Sequence, residues 1–540
     1  MISVRRLISV LLCLSAFAFA QPADEANVED LVGRLLLLAF EGDVAPLERL
    51  SEFSPAGFLY YPSNVTSTEA VRRSTRTLQD VADYPLLFGV DQEGGPFTTY
   101  RVDDATVFPG NMALAATGEP ELARQVGAAV GEELAYAGFN LNFAPVVDVN
   151  SNPDNPIIGV RSFGADPAAV ARLGVAYLEG LDAAGVAGVA KHFPGHGDTD
   201  VDSHLGLPSV TGERTRLDTV ELTPFRALIE ADIPGVMTAH VVFPALEPSV
   251  PATLSSAALT DLLKDDLGFG GMVVTDFMDM QAITDNYGAG EAAVRSVVAG
   301  ADLVLLGSDL QTQRQVVTAL REAVSSGRLS EVRVRDAVAQ TEAVAAAYRP
   351  AWDAALPNYN ANQALAVEVA TAGATLLRNE GALPLEPNAR TVVIAPQPDL
   401  FGEAPHLGSV LARHHADVES VVIGEDPTEA DIASAVAATS GVDQVILGSY
   451  HWLGGFPEGL NTLASQLEAT GLPLTLVALG NPDDIRFMGV EVDAYLAVYG
   501  YREANLEAAA RVLTGQAEAR GHLPVSVGER YPLGAGVGVE

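Results

Sequence analysis

The sequence predicts an α/β protein of two domains, a (β/α)8 TIM-like barrel followed by a smaller α/β/α sandwich. Three observations predict it. The chain has 540 residues, more than one core organises, so two or more domains are expected. Between about residues 30 and 345, short apolar runs alternate with amphipathic stretches, the pattern of repeated strand–helix units. Asp91, Asp148, Lys191 with His192, His240 and Asp276 follow directly on five of those runs, and C-terminal strand ends are where barrel enzymes place their chemistry.

The first twenty residues read as a segment outside the fold. Arg5 and Arg6 precede the apolar run Leu7 to Phe19, closed by Ala18-Phe19-Ala20. That is a charged n-region, an h-region and a small-x-small cleavage site, so a signal peptide cleaved before Gln21 is expected. The rival, an uncleaved anchor, would need a longer run. The single cysteine, Cys13, lies inside this segment and follows Leu12, not the small residue a lipoprotein site requires. The mature chain is therefore expected to lack disulfides and thiolate sites, and to be secreted or periplasmic.

The barrel is expected over 21–347. Its apolar runs are Gly57–Tyr61, Leu86–Val90, Leu141–Val147, Gly185–Ala190, Gly235–Ala239, Met272–Thr275 and Leu303–Leu306, with Leu35–Phe40 as the candidate eighth. Helical stretches between them include Glu121–Ala137, Ala168–Ala184, Leu217–Ala231, Ser256–Leu267 and Gly290–Ala299. A linker is expected over 348–370, its first part loose, with two prolines, before a helix begins. The sandwich follows over 371–540, with apolar runs at Thr391–Ala395, Ser420–Ile423, Gln444–Leu447, Leu474–Leu479 and Ala494–Val498.

Net charge is −39, or −41 once the two signal arginines are removed. So acidic a chain repels nucleic acid and anionic membrane, which excludes both as partners. Lysine is almost absent: two residues, Lys191 and Lys264, against 29 arginines. Lys191 opens Lys191-His-Phe-Pro-Gly-His-Gly-Asp-Thr-Asp-Val-Asp-Ser-His204, which gathers three of nine histidines and three carboxylates into a Gly-rich loop. Asp202 and His204 are two apart and, in extended backbone, point the same way. A carboxylate beside an imidazole fixes its tautomer and favours its protonated form, as general acid–base catalysis requires. A calcium reading of Asp198, Asp200 and Asp202 fails, because Ser203 stands where the sharp turn needs glycine. A zinc reading of His192, His196 and His204 matches no zinc spacing. No metal or other cofactor is expected. Asp276, at the end of Val273-Val274-Thr275, is either a helix cap or, beside this loop on the rim, a nucleophile.

These segments resemble glycoside hydrolase family 3, and within it the β-N-acetylglucosaminidase subgroup. The resemblance rests on the loop Lys191–His204, on Val274-Thr275-Asp276, on Gly89-Val-Asp-Gln-Glu-Gly-Gly95 and on Ile158-Gly-Val-Arg161-Ser-Phe-Gly. In the second domain it rests on Leu376-Leu-Arg-Asn-Glu-Gly381 and Gly521-His-Leu-Pro-Val-Ser-Val527. It implies Asp276 as the nucleophile that forms a glycosyl-enzyme intermediate, His204 as acid/base and Asp202 as its partner. Asp91, Arg161, Lys191 and His192 would hold the sugar. The implied activity is exo-acting, retaining cleavage of terminal β-linked GlcNAc from cell-wall fragments or chitooligosaccharides, with an oligosaccharide as partner. The segment after Gly95 departs from the family pattern, where arginine is usual, and Arg101 is the candidate replacement. Three other readings stand beside this one: a phosphorylase, because a neutral imidazole does not repel phosphate; a β-glucosidase; and a catalytically silent sugar-binding protein.

Overall fold

The structure is a computed structural model and describes residues 27–102, 104–398, 404–451 and 456–536. The expected signal peptide lies outside the described residues. No helix among the described residues is long and apolar enough to cross a membrane.

Eight parallel strands form the first domain: β1 Leu36–Ala39, β2 Gly57–Tyr60, β3 Leu87–Val90, β4 Leu141–Asn142, β5 Ala187–Phe193, β6 Gly235–Thr238, β7 Met272–Val274 and β8 Val304–Leu306. Each strand from β1 to β6 pairs with the next, and β1 pairs with β8. A parallel bridge from Val274 to Leu303 brings β7 against the approach to β8, so the sheet curls into a barrel. Both faces of every strand are covered, which is why the runs are continuously apolar and do not alternate. Leu37, Leu59, Leu141, Val189, Val274 and Leu305 fill the interior. Leu38, Phe58, Phe88, Val236, Val273 and Val304 face the helices.

Two outer helices show how closely the layers pack. α1 (Pro120–Ala137) and α2 (Pro167–Ala183) both begin on proline, whose missing N–H costs nothing there, and Asp166 caps α2 through the N–H groups of Ala168 and Ala169. They touch through glycine: a Cβ on Gly127 would stand 2.1 Å from the Tyr177 carbonyl oxygen.

The helix expected over Leu217–Ala231 is two, α3 (Arg214–Thr219) and α4 (Leu222–Glu230). Pro224 explains the break. A proline seven residues into a helix removes a hydrogen bond and collides with the preceding turn, whereas in the first turn of α4 it is tolerated. The interruption leaves Glu221 buried and paired with Arg216.

From Tyr359 the segment expected as a linker is helical. α5 (Tyr359–Gly373) is capped by Asn358, and Asn362 donates to Glu133 of α1 at 2.8 Å. The second domain is a six-stranded sheet of β9 Thr375–Asn379, β10 Thr391–Pro396, β11 Val418–Ile423, β12 Gln444–Ser449, β13 Leu474–Ala478 and β14 Ala494–Ala497. The order is β9-β14-β13-β12-β10-β11, with β9 antiparallel and the rest parallel. Helices pack against it, so the expected barrel-plus-sandwich architecture stands. The sandwich leans on the barrel loop before α2: Asn481 accepts from the Val160 N–H at 3.1 Å, and the Pro524 carbonyl accepts from Ala165 N–H at 2.9 Å.

Because α1 and α2 meet backbone to backbone, Gly127→Ala is expected to lower barrel stability by roughly 1–3 kcal/mol through overpacking. Thermal unfolding checks it; an unchanged melting temperature would mean the helices can part freely.

Candidate active site

Both the sequence-predicted site residues and the barrel mouth meet in one pocket of about 480 Å³. Asp91, Arg161, Lys191, His192, His204 and Asp276 all line it. Asp202 stands behind His204.

At the floor lies a buried ion network. Lys191 is at the end of β5 and points to Asp91 (2.7 Å) and Glu93 (2.6 Å). Glu93 also takes a bidentate pair from Arg161, at 2.9 and 3.0 Å. Glu93, Arg161 and Lys191 are all buried. Burial pushes the Glu93 carboxyl up, but the Arg161 guanidinium and the Lys191 ammonium outweigh it and hold the carboxyl at about 2. Burial pulls Lys191 down, and Asp91 and Glu93 more than restore it, so the ammonium stays charged. The Arg161 guanidinium also lies 4.3 Å over the Phe97 ring.

Asp148, at the end of the strand run after β4, is the second hub. It is fully buried and accepts from the His192 N–H (3.1 Å), His192 Nδ1 (2.7 Å) and the His196 N–H (2.7 Å). This fixes Nδ1 of His192 as the donor and leaves Nε2 for the pocket.

The histidine loop is packed, not slack. His196 is buried, its Nδ1 2.9 Å from Thr199 Oγ1 and its Nε2 3.0 Å from Ser203 Oγ. Burial holds this imidazole down at about 4, so it is neutral and can serve one hydroxyl as donor and the other as acceptor. Asn155 donates to the His196 carbonyl while its own oxygen accepts from Ile157 and Ile158, tying this loop to the one carrying Arg161. Asp198 pairs with Arg216 of α3 at 2.8 Å. Gly197 gives close approach: a Cβ there would lie 1.9 Å from the Val149 carbonyl oxygen.

At the loop's far end, His204 Nδ1 and its backbone N–H both lie 2.8 Å from Asp202 Oδ1. That hydrogen bond raises the His204 imidazole above its ordinary value, against the opposing effect of burial, and Asp276 adds to the rise. Nε2 remains to exchange a proton. Opposite, Asp276 ends the β7 turn and accepts from the Phe277 N–H at 2.8 Å. His240 sits beneath it, its Nε2 donating to the Phe277 carbonyl at 2.8 Å. Burial pushes Asp276 up, but His240, His192, His204 and the Phe277 N–H outweigh it and hold the carboxyl at about 2. His240, kept neutral by its own burial, adds positive charge only at low pH. Tyr61 and Phe277 stack at 5.7 Å and form an apolar wall of the pocket.

One expectation fails. Arg101 is not among the residues lining the pocket; it reaches the Thr98 carbonyl at 3.4 Å and faces Tyr501 and Arg502. Sequence reasoning also missed the parts played by Glu93, Asp148 and His196. Glu93 stands in the quoted Gly89–Gly95 segment, and a lone acid two residues after Asp91 was its only signal.

The site therefore sets an ionised carboxylate and a carboxylate-backed imidazole around a partly enclosed pocket at a barrel mouth, the constellation of an enzyme that works by nucleophilic and acid–base chemistry. Residues 29–344 match the glycosyl hydrolase family 3 N terminal domain, and residues 374–532 match the glycosyl hydrolase family 3 C-terminal domain. The chain belongs to glycosyl hydrolase family 3 and is a glycoside hydrolase. It is 32% identical over 541 residues to beta-hexosaminidase A of Pseudoalteromonas piscicida, covering 89% of this chain and 90% of that one. It is 35% identical over 340 residues to a beta-N-acetylglucosaminidase/beta-glucosidase of Cellulomonas fimi, 59% of each. A solved structure of a family 3 beta-N-acetylglucosaminidase from Paenibacillus sp. str. FPU-7 matches with a TM-score of 0.88 and 38% identity, over 93% of this chain and 99% of that chain.

Replacing Glu93 by glutamine would leave buried Arg161 without its carboxylate and Lys191 with Asp91 alone, and is expected to cost about 3–5 kcal/mol at neutral pH. Because the folded carboxyl sits at about 2 against an ordinary 4.5, its stabilisation is full above 4.5 and is lost as pH falls from there through 2. The gap in melting temperature between wild type and Glu93→Gln should accordingly close across that window. A gap constant with pH would assign the loss to packing.

Proposed function

We propose that this enzyme is a secreted, exo-acting, retaining β-N-acetylglucosaminidase that removes terminal β-linked GlcNAc from cell-wall fragments or chitooligosaccharides. The observation that carries the reading is the Asp202–His204 pair in one pocket with the ionised Asp276. His204 Nε2–H protonates the departing glycosidic oxygen while Asp276 attacks the anomeric carbon and forms the glycosyl-enzyme. His204, now neutral, takes a proton from water, and the resulting hydroxide displaces Asp276 to give the β-sugar. The usual retaining pair is two carboxylates; here an imidazole backed by a carboxylate replaces one. Asp91, Arg161, Lys191 and His192 hold the hydroxyls and the N-acetyl group. The names of the relatives support the GlcNAc assignment, and the n-region, h-region and cleavage pattern of residues 1–20 support secretion.

A phosphorylase is the second reading, favoured by one feature. After its first proton transfer His204 is neutral and would not repel an incoming phosphate as a carboxylate would.

On a 4-nitrophenyl GlcNAc β-glycoside, Asp276→Ala is expected to lose roughly a thousandfold or more in kcat. His204→Ala should lose about 10²–10⁴-fold on an unactivated chitobioside and less on the nitrophenyl substrate, whose leaving group needs little proton assistance. Full activity in Asp276→Ala would defeat the mechanism. A glucoside turned over as fast as the GlcNAc substrate would defeat the N-acetyl assignment, and GlcNAc-1-phosphate formed in added phosphate would favour phosphorolysis.

Asp202 raises the imidazole that must be protonated to act, so Asp202→Asn should shift the alkaline limb of the kcat/KM profile to lower pH. An unshifted limb would remove Asp202 from the dyad.

A further inference from the structure

Far along the chain, the sandwich gathers a second set of ligand-bearing groups. β12 ends at Ser449, and His451 follows two residues later; β13 ends at Ala478, and its turn carries Asp483 and Asp484. These are C-terminal ends of adjacent parallel strands, the crevice in which open α/β sheets take ligands. One ligand atom from each of His451, Asp483 and Asp484 lies within 4.8 Å of the others. Asp484 is fully buried, and neither carboxylate oxygen has a hydrogen-bond partner. His451 Nδ1 is 3.6 Å from it, too long for a hydrogen bond. Asp483 gives one oxygen to Arg486 at 3.1 Å; its other oxygen is buried without a partner. The buried Ser449 hydroxyl lies beside Asp484 and eases its carboxyl down, against the larger effect of burial.

Buried polar groups are paired in nearly all folded proteins, and an orphan carboxylate asks for an ion, a water or a proton. Burial does push both carboxyls up, Asp484 strongly. A single shared proton, however, neutralises one carboxyl and still leaves the other charged and buried. We propose that His451, Asp483 and Asp484 bind one divalent first-row transition cation, with Ser449 beside it. Two carboxylates match the double charge. One imidazole among oxygen ligands suits Zn2+ or Mn2+ better than Mg2+, which keeps to oxygen and water.

The place of the site gives it a consequence. Asn481, two residues before Asp483, holds the Val160 N–H, and Arg486, two after Asp484, bridges Asp483 to Asp154 of the barrel at 3.2 Å. A cation would stiffen the turn that presses on the loop presenting Arg161 to the pocket. That consequence rests on the proposed role of Arg161 in holding the sugar; the binding does not.

The test uses the full chain, stripped with chelator and given Zn2+, Mn2+ or Mg2+ singly. Elemental analysis after desalting should find about one Zn2+ or Mn2+ per chain. The melting temperature should rise by about 5–10 °C at a hundredfold excess over Kd, and by less with Mg2+. Asp484→Asn keeps the side-chain shape and removes the charge; His451→Gln removes the nitrogen. Each should keep the far-UV spectrum and lose both metal and shift, and His451→Gln decides alone if Asp484→Asn does not fold. No retained metal and no shift in the wild type would overturn the proposal. So would a shift that survives in the folded variants. A more stable, cation-insensitive Asp484→Asn would assign the pair a shared proton. None of these readouts involves glycoside cleavage, so the site can fail while the proposed activity holds, and the reverse.

Discussion

The pocket depends on one carboxylate, Glu93. Two cations, Lys191 and Arg161, are taken out of water there, and burying a charge is tolerable only when it is paired. Glu93 pairs both at once, from the first strand of a short hairpin, Gln92–Gly94, just after β3. It thereby joins three loops that are far apart in sequence and sets two donors side by side in the pocket. Since Glu93 and Asp91 together balance their charge, Lys191 and Arg161 do not present a bare positive field to an anion.

Around that floor, the polar groups are arranged in two matching pairs. Asp148 holds His192 in the interior, and Asp202 holds His204 at the rim. Their surroundings separate them. His192 is buried and fixed by two hydrogen bonds to one carboxylate. His204 is 54% exposed and sits at the end of a loop, where it can meet a leaving group or water. The neutral His196 spans the intervening turn between two hydroxyls, so the His204 end of the loop is set by the same segment that grips the floor. Catalytic geometry of this kind needs support from groups that never touch the ligand.

Much of this was legible. Eight apolar runs gave eight strands, because parallel strands covered on both faces must be apolar throughout. Rim residues could be located because polar side chains that directly follow such runs lie at the barrel's mouth. Other features were not legible. Pro224 marked the break between α3 and α4, yet the apolar periodicity on either side hid it. Arg101 looked like a replacement for a missing guanidinium because spacing along the chain was all that linked it to the pocket. In the fold it turns towards the sandwich.

The sequence by itself determined the two-domain α/β architecture, the rim location of Asp91, Asp148, Lys191, His192, His240 and Asp276, and the local Asp202–His204 pairing, since each of these follows from short-range periodicity or from neighbours two residues apart. Only the tertiary structure decided which groups share a charge. Glu93 meets Arg161 across 68 positions, Asp148 meets His192 across 44, and Asn481 meets Val160 across 321. Such pairings are set by barrel closure and by the seating of the sandwich on the barrel, and chain spacing carries no trace of them.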